Sequence, residues 1–489
     1  HPQKIIRALE IIYYYDLIIT AQDRINILHP DKSAKKYLTL AFPKFISILV
    51  SVVFLTLLIL YPLEFLSIAF IILSVFYFVT NFIKFYIFYK SRKAKSGEIK
   101  ESKFLTDYEY PYYSILIPLK GEASIIDSIF KNIMSIDYPK EKLDVKFITE
   151  VTDKKTIDAL EKAGVGNYEG SNASPIDYNS QLVKVPIGKI STKPRSCDYA
   201  LGFVSGEYTV IYDAEDKPDP LQLKKSIGTF TKSPLNTICV QARLNFYNSK
   251  HNLLTRFFSL EYGFWFDFYL PGLQEIDSPI PLGGTSNHFS SVWLKRLGSW
   301  DSYNVTEDAD LGLRIFRYGL ATTTMNSYTL EEANSQLWNW IKQRTRWQKG
   351  FLITFLVHTK EPIKLVKELG IWKFILSFIV FGGNFFLPIF NVLLVAFTVL
   401  YFLSIQLPFT GTIWYSIIMP LAVFNLIIGN GIYVLVHMMS AYIQKQYKLM
   451  IYALFIPLYW ILISIATIRA GFQFIRNPFY WEKTKHKLT

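Results

Sequence analysis

The chain has 489 residues, of which 51% are hydrophobic, and a mean hydropathy of +0.22. This is too apolar for an ordinary soluble enzyme and implies a membrane protein with room for one sizeable soluble domain. The net charge of +13 does not call for nucleic acid as a partner, because the lysines and arginines gather beside apolar runs, where they read as orientation signals and contacts for membrane lipids.

Residues 1–44 mix short apolar pieces with charges such as Lys4, Arg7, Asp23, Arg24 and Lys32. They predict a small helical lead-in outside the hydrocarbon, suited to docking another protein, although nothing in it names an accessory subunit. No cleavable signal peptide is expected, since the first long apolar run starts too late. Residues 45–89 hold two apolar runs broken at Pro62, each long enough to cross when about 20 residues suffice, and predict a transmembrane hairpin. Lys90, Arg92, Lys93, Lys95, Lys100 and Lys103 follow it. Basic residues stay on the cytoplasmic side, so a multi-pass protein of the inner (plasma) membrane with a cytoplasmic catalytic domain is expected.

Residues 100–364 have the composition of a globular domain. Short β-branched runs at 113–118, 145–149, 181–187, 208–212 and 238–244 alternate with helical patterns, which argues for an α/β domain with a mainly parallel sheet and helices on both faces. Ligands of such sheets sit off the carboxyl ends of the strands. Residues 365–475 are again apolar, with long runs at 371–404, 412–440 and 449–466, and residues 476–489 form a basic tail. Three simple spans would put that tail on the far side. Either one run is a hairpin bent at Gly382-Gly383-Asn384 or at Pro457, or one lies flat at the interface.

Three polar stretches carry chemistry. In Asn304 to Arg314, Glu307, Asp308 and Asp310 crowd where an amphipathic helix begins. Thr306 as an N-cap and acids complementing the helix dipole would explain this on structural grounds alone, but the other two stretches favour a catalytic carboxylate. Asp213-Ala214-Glu215-Asp216 ends a strand, so Asp213 and Glu215 point the same way, with hard oxygens suited to Mg²⁺ or Mn²⁺ and a diphosphate. Gln343, Arg346 and Trp347 share one face of a helix over 337–357. Arg346 suits a bidentate grip on diphosphate and Trp347 suits a sugar ring. Glu150, with Asp153 as a weaker candidate, ends a strand where a carboxylate can accept from a nucleobase N–H. Lys193-Pro194-Arg195 precedes a helix whose N-terminus would meet phosphates. The stretch from Pro281 to Phe289 offers Gly284 and Asn287 for sugar recognition, with His288 a hydrogen-bonded loop residue. The aromatic run 257–266 suits stacking on sugars or an interfacial helix, and the interfacial reading is favoured. Cys197 and Cys239 are reduced and structural, and no spacing suggests zinc.

Taken in order, Asp213 to Asp216, Thr306-Glu307-Asp308 and Gln343 to Trp347 resemble the marks of membrane-integrated, cellulose-synthase-like family 2 glycosyltransferases. The likeness runs from about Tyr113 to the C-terminus, and the wording GGTSNHF and NVTEDADLGLR resembles a bacterial subgroup. The resemblance implies a GT-A-type domain inserted between transmembrane helices. It also implies inverting transfer from a nucleotide-diphosphate sugar, expected to be a UDP-sugar, to a growing β-linked polysaccharide passed through the membrane. The alternative is transfer of one sugar to a polyprenyl phosphate or other lipid acceptor. Carried over by residue, Glu150 contacts the base, Asp213 and Glu215 hold Mg²⁺ or Mn²⁺ and diphosphate, and Asp308 is the general base with Glu307 beside it. Gln343, Arg346 and Trp347 bind diphosphate and acceptor. Glu150 stands where Asp is usual, and the cation motif is D-x-E. Trp481-Glu482-Lys483-Thr484 resembles tail segments that cover the nucleotide in related synthases.

Overall fold

The nearly continuous apolar run Tyr113–Leu119 is buried along its whole length apart from the half-buried Pro118, as a central parallel strand requires. In the computed structural model, which describes residues 8–9, 12–39, 52–53, 56–57, 59–92, 105–165, 179–402 and 419–483, this run is β1 of an eight-stranded sheet. The others are β2 (Leu143–Glu150), β3 (Asn179–Val185), β4 (Tyr208–Ile211), β5 (Lys217–Pro218), β6 (Thr237–Phe246), β7 (Asn287–Ser290) and β8 (Ala321–Glu331). They lie in the order β3-β2-β1-β4-β7-β6-β8-β5. The pairs β1–β2, β1–β4, β2–β3 and β6–β8 are parallel, whereas β7 runs against β4 and β6, and β5 against β8.

The sheet is therefore mixed and mainly parallel, the arrangement of a GT-A-type α/β domain. Because β7 opposes both neighbours, β6 and β8 run the same way as β1 to β4. The carboxyl ends of all these strands then open on one edge, where the loop entering β7 also starts. β7 begins inside the GGTSNHF stretch that reads as a loop in the sequence, and β8 lies in a run where the sequence analysis places no strand.

Contacts divide the chain into two units, one of His1–Ser33, Lys95–Asn248 and Ser278–Ala333, the other of Ala34–Ala94, Ser249–Asp277 and Asn334–Thr489. The aromatic run and the Gln343 to Trp347 helix group with the apolar helices, and the first 33 residues group with the sheet.

The helices of the first unit used below are α1 (Tyr14–Leu28), α2 (Ile126–Met134), α3 (Lys154–Lys162), α4 (Lys193–Ala200), α5 (Gln222–Lys232) and α6 (Glu307–Arg317). α2 buries Ile126, Ile129, Phe130 and Ile133, the i, i+3, i+4, i+7 spacing of one helical face. They pack with Ile115 and Ile117 of β1, Phe147 of β2 and Val210 of β4, each such side chain worth about 1.5–3 kcal/mol when buried. At Gly312 of α6 an added Cβ would stand 2.0 Å from the Ile280 carbonyl oxygen, so this helix lies against backbone and only glycine fits.

In the second unit, helix Pro62–Ser91 starts at Pro62, a residue preorganised for a first turn. The run preceding it, the first arm of the expected hairpin, lies largely outside the described residues. Gly382-Gly383-Asn384 is not a bend. Helix Ile371–Ser377 continues through a wide turn, Phe378–Gly382, into Gly383–Phe402, the one-turn π insertion that helices absorb without breaking. Pro457 sits in the first turn of Ile456–Arg476, just after the turn at Leu454–Phe455 that separates this helix from Met450–Ala453. Among the described residues, four helices are long and apolar enough to cross a membrane: Phe70–Ser91, Ile371–Ala396, Pro420–Ile443 and Ile456–Arg476.

Candidate active site

The carboxyl edge of the sheet collects acids from several strands. Beyond β4, Asp213 and Glu215 are half-buried and Asp216 is buried. Asp216 Oδ2 accepts from the Asp213 N–H at 2.7 Å and from the Thr285 hydroxyl, which ties the acidic turn to the strand entering from Gly283. Its Oδ1 is buried with no hydrogen-bond partner among the described residues. Burial, and then repulsion from Asp213 and Glu215, push the Asp216 carboxyl well above the usual range. Glu331, the last residue of β8, is pushed up by burial and by Asp216, Asp213 and Glu215, so a fourth carboxyl faces the cluster. Among the described residues no three Asp, Glu, His or Cys side chains converge as a closed metal cage.

An ammonium reaches into these acids. Lys193 at the start of α4 sits 2.5 Å from Asp213 Oδ1 and donates at 2.7 Å to the Gly284 carbonyl. Burial opposes its charge, but Asp213 and Glu307 outweigh that and raise its pKa above the ordinary lysine value. A Cβ on Gly284 would lie 3.3 Å from Asp308 Oδ2. Lys193, Asp213, Gly284, Glu307 and Asp308, from four separate stretches, thus meet. The arrangement follows from topology: helices that lead into parallel strands begin at the carboxyl edge, which puts the N-termini of α4 and α6 beside the acids.

The three acids of the α6 first turn divide by environment. Asp310 is fully buried and spends its charge on Arg314 at 2.8 Å, and Glu307 is 6% exposed. Asp308 is half-buried in an otherwise buried run from 301 to 310. Thr306 occupies the N-cap position without a side-chain cap bond.

Other residues expected at the site also make bonds within the chain. Asp153 caps α3, accepting from Thr156 N–H at 3.4 Å, and takes the Gly121 N–H at 2.5 Å. Asn287 is 2% exposed within β7 and donates to the Gly283 carbonyl at 2.5 Å, which fixes the glycine turn rather than reaching outward. Arg195 is 1% exposed and donates to the Pro186 carbonyl. Glu150, half-buried at the end of β2, stands 3.5 Å from Lys120 and stays on the open edge.

His288 is buried in β7, its Nδ1 2.6 Å from the Tyr113 hydroxyl and its Nε2 3.3 Å from Gln222 Oε1. Burial lowers its pKa to about 3. The unfolded chain takes up this proton below about pH 6.5 and the folded chain does not, so the neutral ring contributes full stability above that pH and loses it as pH falls toward 3, at up to about 1.4 kcal/mol per unit. Thermal midpoints measured at pH 7.5, 6.5 and 5.5 are expected to drop over the last step, and His288→Gln to flatten that drop.

In the second unit, helix Leu337–Thr359 carries Gln343, Arg346 and Trp347. Gln343 is buried and accepts from Asn334 at 2.8 Å. Arg344 pairs with both oxygens of Glu261, and the Tyr459 hydroxyl donates to Glu261 at 2.7 Å. Phe258 and Tyr262 pack against Trp347 as tilted ring pairs at 5.9 and 6.3 Å, so this part of the aromatic run packs on this helix. The Arg346 guanidinium lies 4.5 Å over Trp481, Lys349 donates to the Tyr480 carbonyl at 2.7 Å, and Glu482 is held by Arg469 at 2.7 and 2.9 Å. The C-terminal segment through Lys483 is therefore folded onto the Arg346 helix, while Thr484 lies outside the described residues.

The sequence analysis does not single out Glu331, and it quotes Asp216 within the acidic stretch without giving it a role. The signal for the first is the alternating run Thr323, Met325, Ser327 and Thr329, buried or half-buried, which marks a strand delivering Glu331 to the edge.

The chain is similar to several known proteins. The chain is 22% identical over 288 residues to the probable glycosyltransferase YdaM of Bacillus subtilis (58% of this chain, 65% of that one). It is 26% identical over 254 residues to the probable glucomannan 4-beta-mannosyltransferase 7 of Oryza sativa subsp. japonica (50% and 41%). It thus spans less than two thirds of either relative's length. Among solved structures, it is similar to the mannosyltransferase PcManGT from Pyrobaculum calidifontis, in complex with GDP-Man and Mn²⁺, with a TM-score of 0.48, 15% identity, and coverage of 83% of this chain and 99% of that one. The profile of the family described as glycosyl transferase family group 2 matches residues 208–468, more than half the sequence and the stretch that holds Asp213, Asp308 and Arg346; the chain belongs to that family.

Proposed function

We propose that the protein is an inverting glycosyltransferase that moves a hexose from a nucleotide-diphosphate sugar, a UDP-sugar first among the candidates, to a growing β-linked polysaccharide that crosses the membrane. The observation that carries this reading is the meeting of Lys193 with Asp213 and Gly284 beside the half-exposed Asp308. Asp308 takes the proton of the acceptor hydroxyl as that oxygen attacks the anomeric carbon and the bond to the diphosphate breaks on the opposite face. Lys193 and the N-terminus of α4 face the leaving diphosphate. Glu150 reads the base, and Asp153 holds the Gly121 turn next to it. Gly284 and Glu307 line the acceptor side and Asn287 holds the glycine turn. Gln343 and Arg346 keep the diphosphate role, and Trp347 the acceptor role, that the family resemblance gives them.

The acidic turn fits Mg²⁺ or Mn²⁺. Asp213 and Glu215 offer hard oxygens, the orphaned Asp216 Oδ1 is a further acceptor, and the lack of a closed cage among the described residues suits an ion shared with a diphosphate. When bound, the ion supplies positive charge to the departing diphosphate. Calorimetry is expected to show UDP or GDP binding that tightens with Mn²⁺ in the wild type and no longer does so in Asp213→Ala. An equal Mn²⁺ response in both proteins contradicts the assignment.

A further inference from the structure

The first 33 residues group with the sheet, and the geometry points to a positioning role for Gln22 of α1 in sugar transfer, an inference that rests on the transferase reading above. Gln22 is 7% exposed. Its Oε1 accepts the Lys189 N–H at 3.1 Å and its Nε2 donates to the Tyr303 hydroxyl at 3.1 Å. A backbone N–H can only donate, so Oε1 must face Lys189, and the amide nitrogen is left to the tyrosine. One side chain therefore bridges the segment that leads into Lys193 and the segment that leads into Glu307 and Asp308.

The rest of α1 is fitted to the same two segments. The Ser302 hydroxyl donates to the Ala21 carbonyl at 3.0 Å. Ala21 and Ile25 are 0% and 1% exposed. A Cβ on Gly298, whose φ is +82°, would approach Ile25 Cα at 3.2 Å, and one on Gly202 would meet Leu17 Cδ2 at 2.7 Å. The His29 ring lies 2.7 Å from the Tyr318 hydroxyl at the end of α6. The two segments also touch directly, the Thr192 hydroxyl donating to the Ser302 carbonyl at 3.4 Å, a longer contact than either of the two that Gln22 makes.

The bridge fixes the distance between the ammonium on the diphosphate side and the carboxylate on the acceptor side. Each half binds its own ligand without it. Alignment of the two is what it supplies, and a misplacement of about 1 Å costs on the order of a hundredfold in rate.

The test is a cycle of Gln22→Met, Tyr303→Phe and the double variant, with turnover expressed per calorimetrically counted nucleotide site. Gln22→Met keeps the volume and removes both hydrogen bonds. It is expected to lower kcat about tenfold to a hundredfold while the donor KM stays within about twofold. Tyr303→Phe is expected to give a smaller loss, and the double variant no more than Gln22→Met alone. A merely structural role would reduce the number of nucleotide sites and leave turnover per site unchanged, and that result overturns the inference. So does wild-type turnover in Gln22→Met, or additive losses in the double variant. A wild type that neither binds nucleotide nor turns over any nucleotide sugar overturns the transferase reading itself, which separates the two failures.

Discussion

Asp308→Asn is expected to lower turnover by about 10²–10⁴, the usual worth of a positioned general base, while nucleotide affinity stays near the wild-type value. Among the three acids at the start of α6, Asp310 is consumed by Arg314 and Glu307 is buried, so Asp308 is left at the open edge beside Gly284. The amide keeps the shape and its Oδ1 can still accept the Ala309 N–H, bonded at 2.7 Å in the native side chain, but it cannot take a proton. Near wild-type turnover in this variant, with normal nucleotide binding, removes Asp308 from the reaction.

Arg314→Ala is expected to cost about 3–5 kcal/mol of stability, the range for breaking a buried ion pair by removing one partner. The guanidinium is 0% exposed and fully used. Nε pairs with Asp310 at 2.8 Å, Nη1 donates to the Leu297 carbonyl at 2.8 Å and Nη2 to the Ser299 carbonyl at 2.6 Å. Removing it takes the arginine's donors away from a buried carboxylate and two backbone carbonyls. Asp310→Leu combined with Arg314→Leu is expected to recover part of the loss, since no uncompensated charge then stays inside. Chemical denaturation of the purified protein in detergent reads all three variants. A change below about 1 kcal/mol in Arg314→Ala contradicts the buried-pair account.

Much of this site was legible before any coordinates, because motifs record chemistry that needs fixed residue types. Asp213, Glu215, Asp308 and Lys193 could be marked from strand ends and helix starts. The division of labour within Glu307, Asp308 and Asp310 could not be fully read: the i, i+4 spacing of Asp310 and Arg314 hints at a pair, but the burial of Glu307 depends on the tertiary fold. Asp153 followed by Thr156 carries an N-cap signature that a search for nucleotide contacts passes over. Asn287 looked like part of a polar loop, since Gly283-Gly284 signals a turn more loudly than four residues signal a short strand. Gly382-Gly383 looked like a break because glycine disfavours helix in water, whereas a π turn carries the helix through. The docking of α1 was hidden for a different reason: Gln22, Tyr303 and Lys189 are far apart in the chain, and no local pattern announces a bridge.

The central claim is that this chain moves a sugar from a nucleotide diphosphate to an acceptor held at the membrane. Membranes containing the protein, incubated with radiolabelled UDP- and GDP-sugars in Mn²⁺ and sized for product, test it most directly. The account predicts label in a long polymer for at least one donor, dependent on Asp308. Label confined to a single-sugar glycolipid would replace the polymer by the lipid-acceptor alternative, and no Asp308-dependent product or nucleotide release from any donor would contradict the claim.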